Sequence, residues 1–217
     1  MKRKPQKIWL KLVGAALVLM AIFISIKTFS NKYEIINESK LSEKDGQIKT
    51  VVAFGDSLIS GTGSTKGNDF VSLLSKEIGQ PILNLGKSGD TTTSALTRID
   101  SVVRTKPDIV IVLLGGNDYL RKIEQDTTFS NLDKIVKTLQ DNGAVVILLG
   151  VRGGLLKDSY ESKFSAFAKT HGTAYVPNVL DNLLGDKELM SDAIHPNDKG
   201  YQKIADKVLP TLVRFVK

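Results

Sequence analysis

Five apolar runs, separated by stretches with helical spacing, constrain this chain more than any other feature. The runs are Thr50–Gly55, Pro81–Leu85, Asp108–Leu114, Ala144–Leu149 and Ala174–Val176. The longer ones are continuously apolar rather than alternating, as strands covered on both faces are. Between them, Asn68–Ile78 puts Phe70, Leu73, Leu74 and Ile78 on one helical face and stops at Gly79. Thr91–Arg104 opens on threonines suited to capping. Phe129–Asp141 carries Leu132, Ile135, Val136 and Leu139 before Asn142-Gly143. Ser159–Thr170 carries Phe164 and Phe167, and Asn197–Val216 carries Ile204, Val208, Leu212 and Phe215. This alternation predicts an α/β protein with a parallel sheet between helical layers. Right-handed crossovers leave few orders for such a sheet. A three-layer α/β/α flavodoxin-like sandwich, with five parallel strands in the order 2-1-3-4-5, fits.

Charge placement divides the chain before the first strand. Lys2, Arg3, Lys4, Lys7, Lys11, Lys27 and Lys32 precede the first acid, Glu34. They are seven of 30 basic residues, leaving 23 against 23 acids, so the net charge of +7 belongs to the amino terminus. A nucleic-acid binder carries its charge on the folded domain, so no nucleic-acid partner is expected. The basic residues flank a low-polarity run, Leu12–Ile26, which widens to Trp9–Phe29. At roughly 20 residues that is long enough to span a bilayer. The basic cluster before it should stay cytoplasmic and the remainder should lie outside. A cleaved signal peptide shares this pattern, but Thr28-Phe29-Ser30 makes a poor cleavage site. The expected division is a membrane anchor or signal segment at 1–29, a polar stalk at 30–49 and a folded domain at 50–217. There is no cysteine, which removes disulfides, thiolate metal sites, a cysteine nucleophile and a lipid-modified cysteine anchor.

The first strand, Val51-Val52-Ala53-Phe54-Gly55, delivers Asp56-Ser57-Leu58 to its carboxyl end, where α/β sheets bind ligands. A serine nucleophile needs a base and a group that orients the base. The chain has two histidines. His171, before Gly172 at a predicted helix end, has a sufficient structural role beside the helix dipole. His195 lies in Asp192-Ala193-Ile194-His195-Pro196, where Pro196 holds a loop open and Asp192 is within reach of the imidazole. An Asx-turn with a loop histidine has the same residues. Two more loops offer oxyanion donors: Asn84-Leu85-Gly86-Lys87-Ser88-Gly89-Asp90, and Gly115-Gly116-Asn117-Asp118. Both are also ordinary turn compositions. Asp56, Asp118 and Asn84 read as turn-fixing residues. Gly61-Thr62-Gly63 lacks the spacing of a nucleotide-binding loop. No metal-ligand spacing is present and no cofactor is expected.

Together, Gly55-Asp56-Ser57-Leu58, Gly89, Gly115-Gly116-Asn117-Asp118 and Asp192-Ala193-Ile194-His195-Pro196 resemble the four blocks of the SGNH (GDSL-type) hydrolases. The resemblance spans about residues 50–217 and looks nearest to the bacterial thioesterase/lysophospholipase/arylesterase subgroup. It implies Ser57 as nucleophile and Asp192 and His195 as its partners. It also implies an oxyanion hole of the Ser57 N–H, the Gly89 N–H and the Asn117 side chain. The implied activity is extracytoplasmic hydrolysis of lysophospholipid, short-acyl or aryl esters. Leu120, Leu155 and Leu156 are candidate contacts for the acyl group. A cell-wall glycan O-acetylesterase or acetyltransferase, and a non-catalytic membrane-tethered binding domain, are the alternatives. Oligomeric state has no signature in the sequence.

Overall fold

The computed structural model describes residues 34–152 and 159–217. The anchor or signal segment at 1–29, the first residues of the expected stalk, and Leu155 and Leu156 lie outside the described residues. Among the described residues no helix is long and apolar enough to cross a membrane.

Five parallel strands form the sheet: β1 (Val51–Gly55), β2 (Ile82–Gly86), β3 (Ile109–Leu113), β4 (Val145–Leu149) and β5 (Ala174–Val176). Their order, β2-β1-β3-β4-β5, is the expected one. Val51 is level with Ile82 on one side and Ile109 on the other, so β1 to β3 end together at Gly55, Gly86 and Leu113. Every residue of β1, β3 and β4 is buried, which requires cover on both faces. β2 is an edge strand and is half open.

The helices are α1 (Glu38–Ser42), α2 (Ser57–Ser60), α3 (Phe70–Ile78), α4 (Thr92–Leu96), α5 (Ile99–Val103), α6 (Gly116–Leu120), α7 (Gln125–Asp141), α8 (Ser159–Thr170) and α9 (Asp198–Val216). One covering group joins α3 to α9; the other joins α7 to α4, α5 and α6. Side-chain caps start α3 and α9, with Asp69 accepting from Ser72 N and Asn197 from Gly200 N.

Two expectations change. The stretch Thr91–Arg104 is two short helices, α4 and α5, broken before Arg98. The Arg98 guanidinium reaches back to the sheet, donating to Leu85 O at 2.8 Å, Gly55 O at 2.9 Å and Asp90 Oδ2 at 2.6 Å. It also stacks 4.4 Å over the Phe54 ring. These contacts hold the ends of β1 and β2 at the point where the two helices part. The second change concerns residues 35–49, read as stalk, which belong to the folded unit from Ile35 to Lys217. Ile35 and Leu41 are buried, and Asn37 Nδ2 donates to Gln140 O and Ala144 O at 2.9 Å. Lys49 Nζ donates to Lys217 O at 3.0 Å.

Candidate active site

Strand β1 ends at Gly55, and the chain turns directly into α2 with Ser57 as its first residue. Asp56 is the cap: its side chain accepts from Leu58 N at 3.0 Å. This holds the turn tight and leaves the Ser57 hydroxyl at the sheet's carboxyl edge. From the far end of the sequence, the loop before α9 brings His195 to it. His195 Nε2 and Ser57 Oγ are 3.0 Å apart, and His195 Nδ1 is 2.7 Å from Asp192 Oδ2. A carboxylate only accepts, so Nδ1 carries the proton and Nε2 accepts from the serine hydroxyl.

The Asp192 loop is itself an Asx-turn. Asp192 Oδ1 accepts from Ile194 N at 2.8 Å and His195 N at 2.7 Å. The turn and the relay, separate readings of the sequence, are the same structure. The His195 hydrogen bond and these backbone donors hold the Asp192 carboxyl at about 2, so it stays ionised beside the imidazole. The loop is closed by Ser191 N donating to His195 O at 2.9 Å and is pinned to α9 by the Asn197 cap.

The other two loops meet at one bond. Asn117, in α6 after β3, donates through Nδ2 to Asp90 O at 2.9 Å. That bond fixes the plane of the amide and leaves its second N–H for another acceptor. Gly89 occupies the third place of the Lys87–Asp90 turn with φ +80°, a conformation that favours glycine. Its carbonyl accepts from Arg121 Nη2 at 2.9 Å. Asn117 lines the cleft, whereas Gly89 lies outside its lining, next to the Asp90 that Asn117 binds.

Asp118 and Asn84 hold the frame, as expected. Asp118 is fully buried, accepting from Thr92 N, Thr92 Oγ1 and Thr128 Oγ1. Asn84 Nδ2 donates to Ile59 O at 2.7 Å, and its Oδ1 accepts from Gly86 N. His171 lies far from this constellation, with Nε2 2.7 Å from Asp133 Oδ1 and its ring stacked on Phe167.

A cleft of about 720 Å³ opens beside Ser57 and His195. Leu120 lines it, together with Val151, Leu180, Leu184, Met190 and Ile194. The sequence reading missed the wall from residues 180–190, which has no helical or strand periodicity and signals itself only by its leucines. Tyr119, Leu120 and Ile194 are three of the large apolar side chains left exposed among the described residues, and all three border this cleft. Apolar surface concentrated this way marks a binding site. Arg152, paired with Glu161 at 3.3 Å, together with Asp186 and Lys187, adds charge to the lining. Among the described residues no cluster of His, Asp or Glu has the makings of a metal site.

A parallel sheet carrying a hydroxyl–imidazole–carboxylate relay on its carboxyl edge defines an α/β enzyme with hydrolytic chemistry. The chain belongs to the GDSL-like lipase/acylhydrolase family, whose pattern matches residues 53–203. It is similar to esterase TesA of Pseudomonas aeruginosa, at 30% identity over 76% of this chain and 88% of that protein. An arylesterase of Vibrio mimicus is also 30% identical, over 82% of this chain and 92% of its own length. Thioesterase 1/protease 1/lysophospholipase L1 of Escherichia coli is 26% identical over 72% and 80%. The crystal structure of TesA superposes with a TM-score of 0.69 at 29% identity, covering 77% of this chain and 99% of that one. The chain is a carboxylic ester hydrolase.

Proposed function

We propose that the chain hydrolyses esters of apolar acyl or aryl groups through a Ser57 acyl-enzyme, outside the cytoplasm. The observation that carries this is the Ser57–His195–Asp192 relay opening on an apolar cleft. Ser57 Oγ attacks the ester carbonyl as His195 Nε2 takes its proton. Ionised Asp192 keeps the imidazole in the Nδ1–H tautomer and stabilises the imidazolium. The Ser57 N–H, the Gly89 N–H and the free N–H of Asn117 receive the charge that develops on the carbonyl oxygen. His195 then protonates the departing alcohol, and water releases the acyl group by the same route. The names of the relatives, an esterase, an arylesterase and a thioesterase/lysophospholipase, agree with an acyl or aryl substrate. The basic flank and apolar run at 1–29 support the extracytoplasmic placement.

Ser57→Ala should abolish both turnover of p-nitrophenyl esters and labelling by a serine-directed phosphonate. Labelling that survives the substitution would remove Ser57 from the mechanism.

A further inference from the structure

Next to Ser57, three hydroxyls close a ring. Ser60 Oγ lies 3.0 Å from Ser88 Oγ and 3.2 Å from Thr62 Oγ1, which lies 2.9 Å from Ser88 Oγ. Ser60 and Ser88 are exposed and Thr62 is half-buried. Close backbone contact builds the ring. A Cβ on Gly86, the last residue of β2, would lie 2.3 Å from Ser60 N, so only glycine lets the end of β2 pack this tightly under α2. That approach brings Ser88 to Ser60.

Proton counting gives the ring a chemical character. Each hydroxyl has one hydrogen and two lone pairs. The Ser60 hydrogen goes to Ser57 O at 3.0 Å. The Thr62 and Ser88 hydrogens can then serve two of the three contacts among the oxygens. Most of the lone pairs stay open, and the exposed Ser60 and Ser88 hydroxyls can also turn outward to donate. The ring therefore accepts and donates at close spacing, and it suits a ligand that brings hydroxyl groups of its own.

Its position says which part of a substrate that is. Ser60 is one helical turn from Ser57, a spacing of about 5–6 Å between Cβ atoms. The ring follows β1 and β2, whereas most of the apolar lining follows β3, β4 and β5. In the order β2-β1-β3-β4-β5, Ser57 therefore stands between a hydroxyl surface and an apolar cleft. Gly63, beside Thr62, packs on the His195 loop: a Cβ there would lie 3.2 Å from His195 Cβ. His195 must deliver a proton to the leaving oxygen, so the ring flanks the alcohol.

We propose that Ser60, Thr62 and Ser88 form a subsite for a hydroxylated alcohol, so that the preferred substrate joins an apolar acyl chain to a polyol. This rests on the Ser57 mechanism proposed above. The test compares the octanoyl monoester of glycerol with p-nitrophenyl octanoate in the wild type, Thr62→Val, Ser88→Ala and the double variant. The readout is the ratio of kcat/KM for the two substrates. The ratio should fall about tenfold in the double variant, as loss of two hydrogen bonds does, and Thr62→Ser should keep it. An unchanged ratio in an enzyme that turns over both esters overturns the subsite and leaves the Ser57 mechanism standing. Octanoate turnover that survives Ser57→Ala overturns both.

Discussion

Asp56 and Ser57 are buried neighbours at the edge of the cleft. The hydroxyl of Ser57 faces the cleft, whereas Asp56 is only 2% exposed. Burial pushes the Asp56 carboxyl up to about 7, and the charges of Asp90 and Asp118 add to the shift. In the unfolded chain the same group titrates near 3.9. Between about pH 4 and 7 the folded chain thus holds a proton that the unfolded chain has lost, and stability falls as pH rises across that window. Above it both states are ionised and the dependence levels off. Asp56→Asn keeps an oxygen to accept from Leu58 N and removes the ionisation. Urea unfolding of the wild type should therefore lose on the order of 2–3 kcal/mol between pH 5 and 7 relative to Asp56→Asn; parallel pH profiles would refute a buried, titrating Asp56. Asp192 runs the other way. Its carboxyl, held at about 2, contributes stability above pH ~4 that is lost as pH falls toward 2, outside the Asp56 window. The difference between these aspartates also marks what a sequence discloses. Ser57, Asp192 and His195 are legible because His195 has an aspartate three residues back and a proline after it. The raised pKa of Asp56 is not, since it comes from burial in the folded chain and from the charges of Asp90 and Asp118, which are distant in sequence.

At the level of elements, strand order follows from the continuous apolar runs, because burial on both faces leaves few arrangements. Helix boundaries follow less well where a side chain bonds outside its own helix. Arg98, where α4 and α5 part, clamps the ends of β1 and β2, and no local pattern announces that. Residues 35–49 read as stalk because most of them are polar. Ile35, Leu41 and Asn37 nevertheless anchor the segment beside the amino ends of β4 and β5, with Ile36 N donating to Gly172 O at 2.9 Å. Asp118 is the corresponding tie at the carboxyl end, joining α4, α6 and α7 from a fully buried position. All its partners are donors. Asp118→Asn with its oxygen on Thr92 N would turn its NH2 toward the Thr92 and Thr128 hydroxyls, which donate now and would have to turn round to accept. The expected cost is about 1–3 kcal/mol, read as a lower urea midpoint. Because α6 carries Asn117, kcat should fall as well. Unchanged stability would show that the two threonines reorient freely, and that the network does not hold α6 in place.

For the molecule as a whole, the sheet sets an apolar cleft and a reactive hydroxyl side by side, and the cleft is much larger than the acetyl group of the alternative glycan reading. Each methylene that leaves water for the cleft contributes up to ~0.8 kcal/mol. If the transition state realises that burial, kcat/KM rises up to about fourfold per methylene. A p-nitrophenyl ester series from acetyl upward should therefore climb, then level off once the chain fills the space between Leu120, Leu180 and Leu184. The rise should depend on the wall itself. Leu184 is only partly buried in the folded chain, so Leu184→Asn alters the cleft more than the core. It should lower kcat/KM for long esters and leave the acetyl ester nearly unaffected, flattening the slope. A series that peaks at acetyl, or a slope that Leu184→Asn does not change, would move the substrate away from acyl chains. Acetyl release from a glycan would then become the better account of the same serine.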